Sequence, residues 1–175
     1  MSPKASFKRS TSATESFRRL GGTKLQSHPF RILCTEDDAD TRELITFVLT
    51  GNNCEVITTE TPAVALEIAQ TFSFDLYLID NWMPLMSGPN LCRELRSFDA
   101  STPILFYSGA GYQADKDAAY ASGAQGYLVK PVDNEHLVAE VRRLIVESRA
   151  KGPTQTTHAL VNESAPPLSQ SASAS

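Results

Sequence analysis

The sequence predicts a doubly wound α/β domain, and three observations carry that prediction. Short apolar runs alternate with stretches of helical period through the middle of the chain. Four of the runs are continuously apolar, as strands buried on both faces of a sheet must be: 32–35, 76–79, 104–107 and 127–129. Each of the four stops at polar groups, namely Glu36-Asp37, Asp80, Ser108 and Lys130-Pro131. Parallel strands deliver such groups to one edge of a sheet, where open α/β sheets place their sites.

The elements follow in order. Strand one spans 31–35. In the next helix, Asp40 and Glu43 stand at capping-box spacing, and Leu44, Ile45, Val48 and Leu49 share one face. Asn52-Asn53 ends that helix, and Glu55-Val56-Ile57-Thr58 forms strand two. The second helix opens with Thr61 as N-cap and Pro62 at its first position, with Val64, Ala65, Ile68, Ala69 and Phe72 inward. Strand three is 76–79, the third helix lies near 88–97, strand four near 103–107 and the fourth helix near 114–121. Gly123 is its C′ residue. Strand five is 126–129, and the last helix starts at Asp133 and buries Leu137, Val138, Val141, Leu144 and Ile145. Right-handed crossovers with helices on both sides make this a (βα)₅ unit, for which the flavodoxin-like order 2-1-3-4-5 is expected.

The domain is expected over 30–148, between a basic tail at 1–29 and a Ser/Thr/Ala/Pro-rich end at 149–175, both disordered by composition. The first segment reads as a solvated basic tail, with a misplaced start or a short docking or targeting segment as alternatives. It carries six basic residues against Glu15, while the middle, 30–148, carries a net charge of −10. An acidic core disfavours nonspecific nucleic-acid binding by that core. No apolar stretch reaches the ~20 residues of a membrane span, and no secretory h-region is present. Cys34, Cys54 and Cys92 lack zinc or disulfide spacing and read as small core groups of a cytoplasmic protein.

Glu36, Asp37 and Asp80 are expected to lie within a few ångströms of one another. Two like charges 4 Å apart repel by about 4 kcal/mol at an effective dielectric of 20. Such a cluster holds a proton or a cation, and hard carboxylate oxygens suit Mg²⁺ or Mn²⁺. Asp38 and Asp40 are placed to favour a helix dipole. Lys130 reaches the same point as a charge partner able to bind a phosphoryl oxygen. Ser108 offers a hydroxyl, and Gly109 leaves space above it.

Glu36-Asp37-Asp38, then Asp80-Asn-Trp-Met83-Pro84-Leu-Met-Ser-Gly88, then Ser108-Gly109-Ala110, then Gly126-Tyr127-Leu-Val-Lys130-Pro131 resembles the receiver domain of two-component response regulators. The resemblance covers 30–148 and implies named roles. Asp80 is the phosphoacceptor. Asp37, Asp80 and the main-chain carbonyl of Trp82 ligate Mg²⁺, and Glu36 holds it through water. Ser108 and Lys130 bind phosphoryl oxygens, Tyr127 and Ser108 form a switch, and the Lys130–Pro131 peptide is cis. Ser87 stands where the family usually has an acid; it remains able to cap the third helix. Trp82 puts a bulky ring at the site mouth.

The function implied is a stand-alone receiver, not a turnover enzyme. It takes a phosphoryl group from a histidine kinase or phosphotransfer protein and signals to a protein target, with phosphorylation-dependent homodimerisation possible and no direct nucleic-acid or membrane contact. Two other readings compete. Aspartyl-phosphate phosphohydrolases that use Mg²⁺ place a second acid two residues after the nucleophile, and here that residue is Trp82. A phosphorylation-independent interaction module would not need the full set Glu36, Asp37, Asp80, Ser108 and Lys130.

Overall fold

The computed structural model describes residues 28–151. The expectations for the two tails lie outside these residues, apart from 28–29 and 149–151. Strands β1 (Phe30–Thr35), β2 (Cys54–Thr59), β3 (Leu76–Ile79), β4 (Ile104–Ser108) and β5 (Gly126–Val129) alternate with helices α1 (Ala39–Thr50), α2 (Pro62–Thr71), α3 (Gly88–Phe98), α4 (Gln113–Ala121) and α5 (Asn134–Lys151). All strand pairs are parallel and their order is β2-β1-β3-β4-β5, as expected. Helix α5 runs past residue 148 to Lys151.

Strand alternation sorts the apolar side chains into two cores. Ile32, Cys34, Leu76, Leu78, Leu105, Tyr107 and Leu128 pack with Ile45, Val48 and Leu49 of α1 and Leu137, Val141, Leu144 and Ile145 of α5. On the other face Leu33, Tyr77, Ile79, Ile104 and Phe106 meet Ala65 and Ala69 of α2, Leu91, Cys92 and Leu95 of α3, and Ala119 of α4. Both faces of the sheet are therefore covered, which explains the continuously apolar strands. All three cysteines are free and buried. Burial pushes the Cys34 thiol up to about 12, so it stays a neutral core group.

Several helix ends follow the sequence. The Thr61 side chain accepts from the amide of Val64, and Pro62 begins α2. The Asp133 carboxylate accepts from the amide of His136 at 2.7 Å. Asn53 adopts φ 61°, and Gly123, just past α4, adopts φ 108°, a conformation that favours a residue without Cβ.

Three local expectations are corrected. The N-cap of α1 is Asp38, not Asp40: its carboxylate accepts from the amide of Thr41 at 2.8 Å. The apolar face of α1 is narrower than expected, because Leu44 is exposed. On α2, Val64 and Phe72 are exposed as well, and the buried contacts are made by Pro62, Ala65 and Ala69. Leu66 and Ile68 are partly buried and pack beside Ala65 and Ala69 on the same core. Ser87 is the N-cap of α3 but makes no side-chain capping bond.

Candidate functional site

The last rung of each sheet ladder fixes the backbone of a site residue. The amide of Glu36 donates to the carbonyl of Thr59 at 3.0 Å, that of Asp80 to Thr35 at 3.0 Å, and that of Lys130 to Ser108 at 2.8 Å. Glu36, Asp80 and Lys130 thus leave the C-terminal edge from three different strands with little backbone freedom. Asp37 begins the β1–α1 loop. One guanidinium nitrogen of Arg42 closes that loop by donating to the carbonyls of Glu36 at 2.7 Å and Asp37 at 2.8 Å. The role of Arg42 was not legible from spacing, since a helical arginine ordinarily faces solvent.

The side chains converge as expected. Carboxylate oxygens of Glu36, Asp37 and Asp80 all lie within 4.8 Å of one another. Asp37 is exposed, whereas Glu36 and Asp80 retain only 3% and 7% of their accessible surface. Nζ of Lys130 donates to Oε2 of Glu36 at 2.5 Å and to Oδ1 of Asp80 at 3.1 Å. The same nitrogen lies 5.2 Å from the centroid of the Tyr107 ring. The second oxygen of Asp80 accepts from the amide of Trp82 at 2.7 Å. Burial pushes the Glu36 carboxyl above its ordinary range, with Lys130 acting against that shift. Burial also disfavours the charge on Lys130, but its bond to Glu36 and the field of Asp80 outweigh it and hold the ammonium above its usual pKa.

The remaining site residues are close by in the fold. Ser108 is the last residue of β4 rather than the one after it, and its Oγ accepts from the amide of Ala110 at 3.3 Å. A Cβ placed on Gly109 would meet nothing within 4 Å, so the space above Ser108 is open. The ring of Tyr127 stacks on Phe106, with centroids 5.7 Å apart, and its hydroxyl donates to the carbonyl of Ala110 at 2.6 Å. Ser108 and Tyr127 therefore hold the same β4–α4 loop from two sides. The Lys130–Pro131 peptide is cis. The Trp82 side chain is 68% exposed. Gly88 packs directly on the Asp80 carbonyl, and a Cβ there would stand 2.7 Å from the Phe106 ring.

Three hard carboxylates, two of them bridged by one ammonium, have the chemistry to hold a divalent cation. Residues 32–142 match the family model described as the response regulator receiver domain. The chain belongs to that family. It is 31% identical over 126 residues to the cell cycle transcriptional regulator CtrA of Caulobacter vibrioides, covering 72% of this chain and 54% of that protein. The figures for the cell cycle response regulator CtrA of Brucella ovis are 31% over 126 residues, 72% and 53%. The receiver chain thus spans about half the length of these curated relatives. Among solved structures, chemotaxis protein CheY4 of Vibrio cholerae is 30% identical with a TM-score of 0.62, covering 66% of this chain and 98% of that one. The receiver domain of a sensor histidine kinase from Pseudomonas aeruginosa shares the fold at 24% identity and a TM-score of 0.64, covering 67% and 98%; it was crystallised with a magnesium ion coordinated in its active site cleft. Receiver domains are phosphorylated by histidine kinases or phosphotransfer proteins. Among the described residues no helix is long and apolar enough to cross a membrane.

Proposed function

We propose that this receiver accepts a phosphoryl group on Asp80 from a partner histidine kinase or phosphotransfer protein and relays it as a conformational signal. The observation that supports this most directly is the shared ammonium: Lys130 bonds both Glu36 and Asp80 while Asp37 completes the acidic cluster. One Asp80 carboxylate oxygen attacks phosphorus, the phosphorus–nitrogen bond of the donor breaks, and the donor imidazole leaves with the electron pair. The product is an acyl phosphate on Asp80. Lys130, charged at neutral pH, stabilises the oxygens that gain negative charge. Ser108 offers its hydroxyl to another phosphoryl oxygen. Asp37, Asp80 and the main-chain carbonyl of Trp82 would hold a divalent cation, Mg²⁺ or Mn²⁺, with Glu36 acting through water, and the cation supplies further charge neutralisation when bound.

The acyl phosphate adds roughly −1.5 to −2 charges. Movement of Ser108 toward it releases one support of the β4–α4 loop, and Tyr127, bonded to the same loop, follows. The α4–β5–α5 face then changes, and that face meets a downstream protein or a second phosphorylated copy. The chain acts as a switch whose chemistry is limited to its own phosphorylation and dephosphorylation; the residue two after Asp80 is Trp82, not the acid that a turnover phosphohydrolase needs.

Incubation with Mg²⁺ and acetyl phosphate or phosphoramidate tests the reading. Intact mass rises by roughly 80 Da, one phosphoryl group, and Asp80→Asn abolishes the gain. No uptake by the wild type refutes the switch, and repeated turnover of small phosphate esters favours a hydrolase.

A further inference from the structure

On the other side of the phosphoacceptor loop lies a cavity of about 160 Å³ lined by Asn81, Trp82, Ser87, Pro89, Asp115 and Ala118. Strand alternation explains its placement. Tyr77 and Ile79 face the α3–α4 core, while Leu78 faces the opposite one; Asn81 continues the first series. Asn81 is 95% buried, and its Oδ1 has no hydrogen-bond partner among the described residues. Such a buried orphan polar group is disfavoured unless something bonds it. A half-turn about the terminal bond exchanges the amide oxygen and nitrogen, and in that orientation Oδ1 leaves its buried, unpartnered position and a carbonyl reaches the cavity.

Two further polar groups line the cavity. The Asp115 carboxylate, in the first turn of α4, joins no ion pair among the described residues. Ser87 makes no side-chain capping bond. Pro89 and Ala118 supply short apolar walls, and the exposed indole of Trp82 lies at the rim. A carboxylate, an amide carbonyl and a hydroxyl beside flat apolar walls suit a planar cation with several N–H donors, and the indole adds a face for it.

We propose that this α3–α4 cavity binds an arginine side chain presented by a protein partner. Residues 30–148 carry a net charge of −10 and Asp115 lines the cavity, so charge complementarity favours a basic partner segment. The site does not depend on phosphoryl chemistry, and its test reads binding alone.

The experiment titrates the full chain with N-acetylarginine amide at constant ionic strength and follows amide and side-chain signals by two-dimensional NMR. N-acetylcitrulline amide, neutral and of similar shape, is the control. Saturable shifts are expected at Asn81, Ser87, Ala118 and the Trp82 indole, with citrulline at least about tenfold weaker. Asp115→Asn removes the preference for arginine while keeping the spectrum of a folded protein. The proposal is overturned by the absence of saturable shifts up to about 50 mM, by equal binding of the two probes, or by an Asp115→Asn variant that binds arginine as well as the wild type does.

Discussion

Nζ of Lys130 and Oε2 of Glu36 lie 2.5 Å apart although 94 residues separate them in the chain. Removing the ammonium leaves two nearly buried carboxylates, Glu36 and Asp80, beside Asp37 without a counter-charge. Lys130→Met is expected to lower stability by about 2 kcal/mol in urea unfolding, below the range for fully buried pairs because Lys130 is partly exposed. Phosphoryl uptake from acetyl phosphate slows by about 10²-fold. Added Mg²⁺ recovers part of the lost stability, since a cation relieves the same repulsion. Unchanged uptake would remove Lys130 from the proposed chemistry.

Asp99 governs acid stability at the far end of the sheet. It accepts from the Tyr77 hydroxyl at 2.9 Å and from the amides of Ser101 and Thr102, each at 3.0 Å. Burial opposes its charge, but these donors win and lower its pKa from 3.8 to about 2. A folded-state pKa below the unfolded one means stability that is present above pH 3.8 and lost as pH falls toward 2. The contribution is about 2 kcal/mol. Denaturant midpoints measured between pH 5 and pH 2 should fall more steeply for the wild type than for Asp99→Asn. Parallel slopes would show that another carboxylate dominates.

Gly88 sits where a methyl group has no room. A Cβ there meets the Asp80 carbonyl, the Phe106 ring and the Cα of Asn81. Two of these are backbone atoms that cannot rotate away. Gly88→Ala should cost about 1–3 kcal/mol and also slow phosphoryl uptake, because the displaced atoms belong to Asp80, the proposed phosphoacceptor, and its neighbour. A loss of stability with normal uptake would mean that the strain relaxes into α3 instead.

The Trp82 side chain is exposed beside Asp80, and its amide donates to that carboxylate. Substitution of the side chain leaves that amide in place. Trp82→Asn should shorten the acyl-phosphate lifetime by about two- to fivefold, equivalent to 1 kcal/mol or less of barrier, with stability unchanged within about 0.5 kcal/mol. Autodephosphorylation followed by intact mass measures it, and equal lifetimes would exclude a shielding ring.

The correction on α2 is also testable. Val64→Lys, on the exposed flank, should shift stability by less than about 0.5 kcal/mol. Ala65→Leu, against the sheet, should cost about 1–3 kcal/mol. Thermal unfolding of the two variants separates the faces.

The strands and the site edge were legible because both depend on short-range pattern. A continuously apolar run such as Leu76–Ile79 has one reading in an α/β chain, and the residue after it must surface. Helix phase was less legible. Asp38 and Asp40 are both good caps, and only the bond to Thr41 decides between them. Apolar Val64 and small Ala65 both fit an inward face, and only tertiary packing, which buries Ala65 and leaves Val64 exposed, decides between them. The α3–α4 cavity and the Arg96 hub left no trace in the sequence. Arg96 binds the carbonyls of Asp99, Thr102 and Gly123 and the side chain of Gln125, partners that only tertiary packing brings together.

The walls of the phosphoacceptor pocket come from β1, β3 and β5, and β4 must lie between the last two before Lys130 can reach Asp80. No fragment of the sheet that lacks one of β1, β3, β4 and β5 contains the pocket. On the proposed function the pocket is thus also an assay of assembly: the fraction of chains that take up phosphate counts the fraction in which these four strands are joined. A destabilised variant will read as silent in signalling well before its helices are lost.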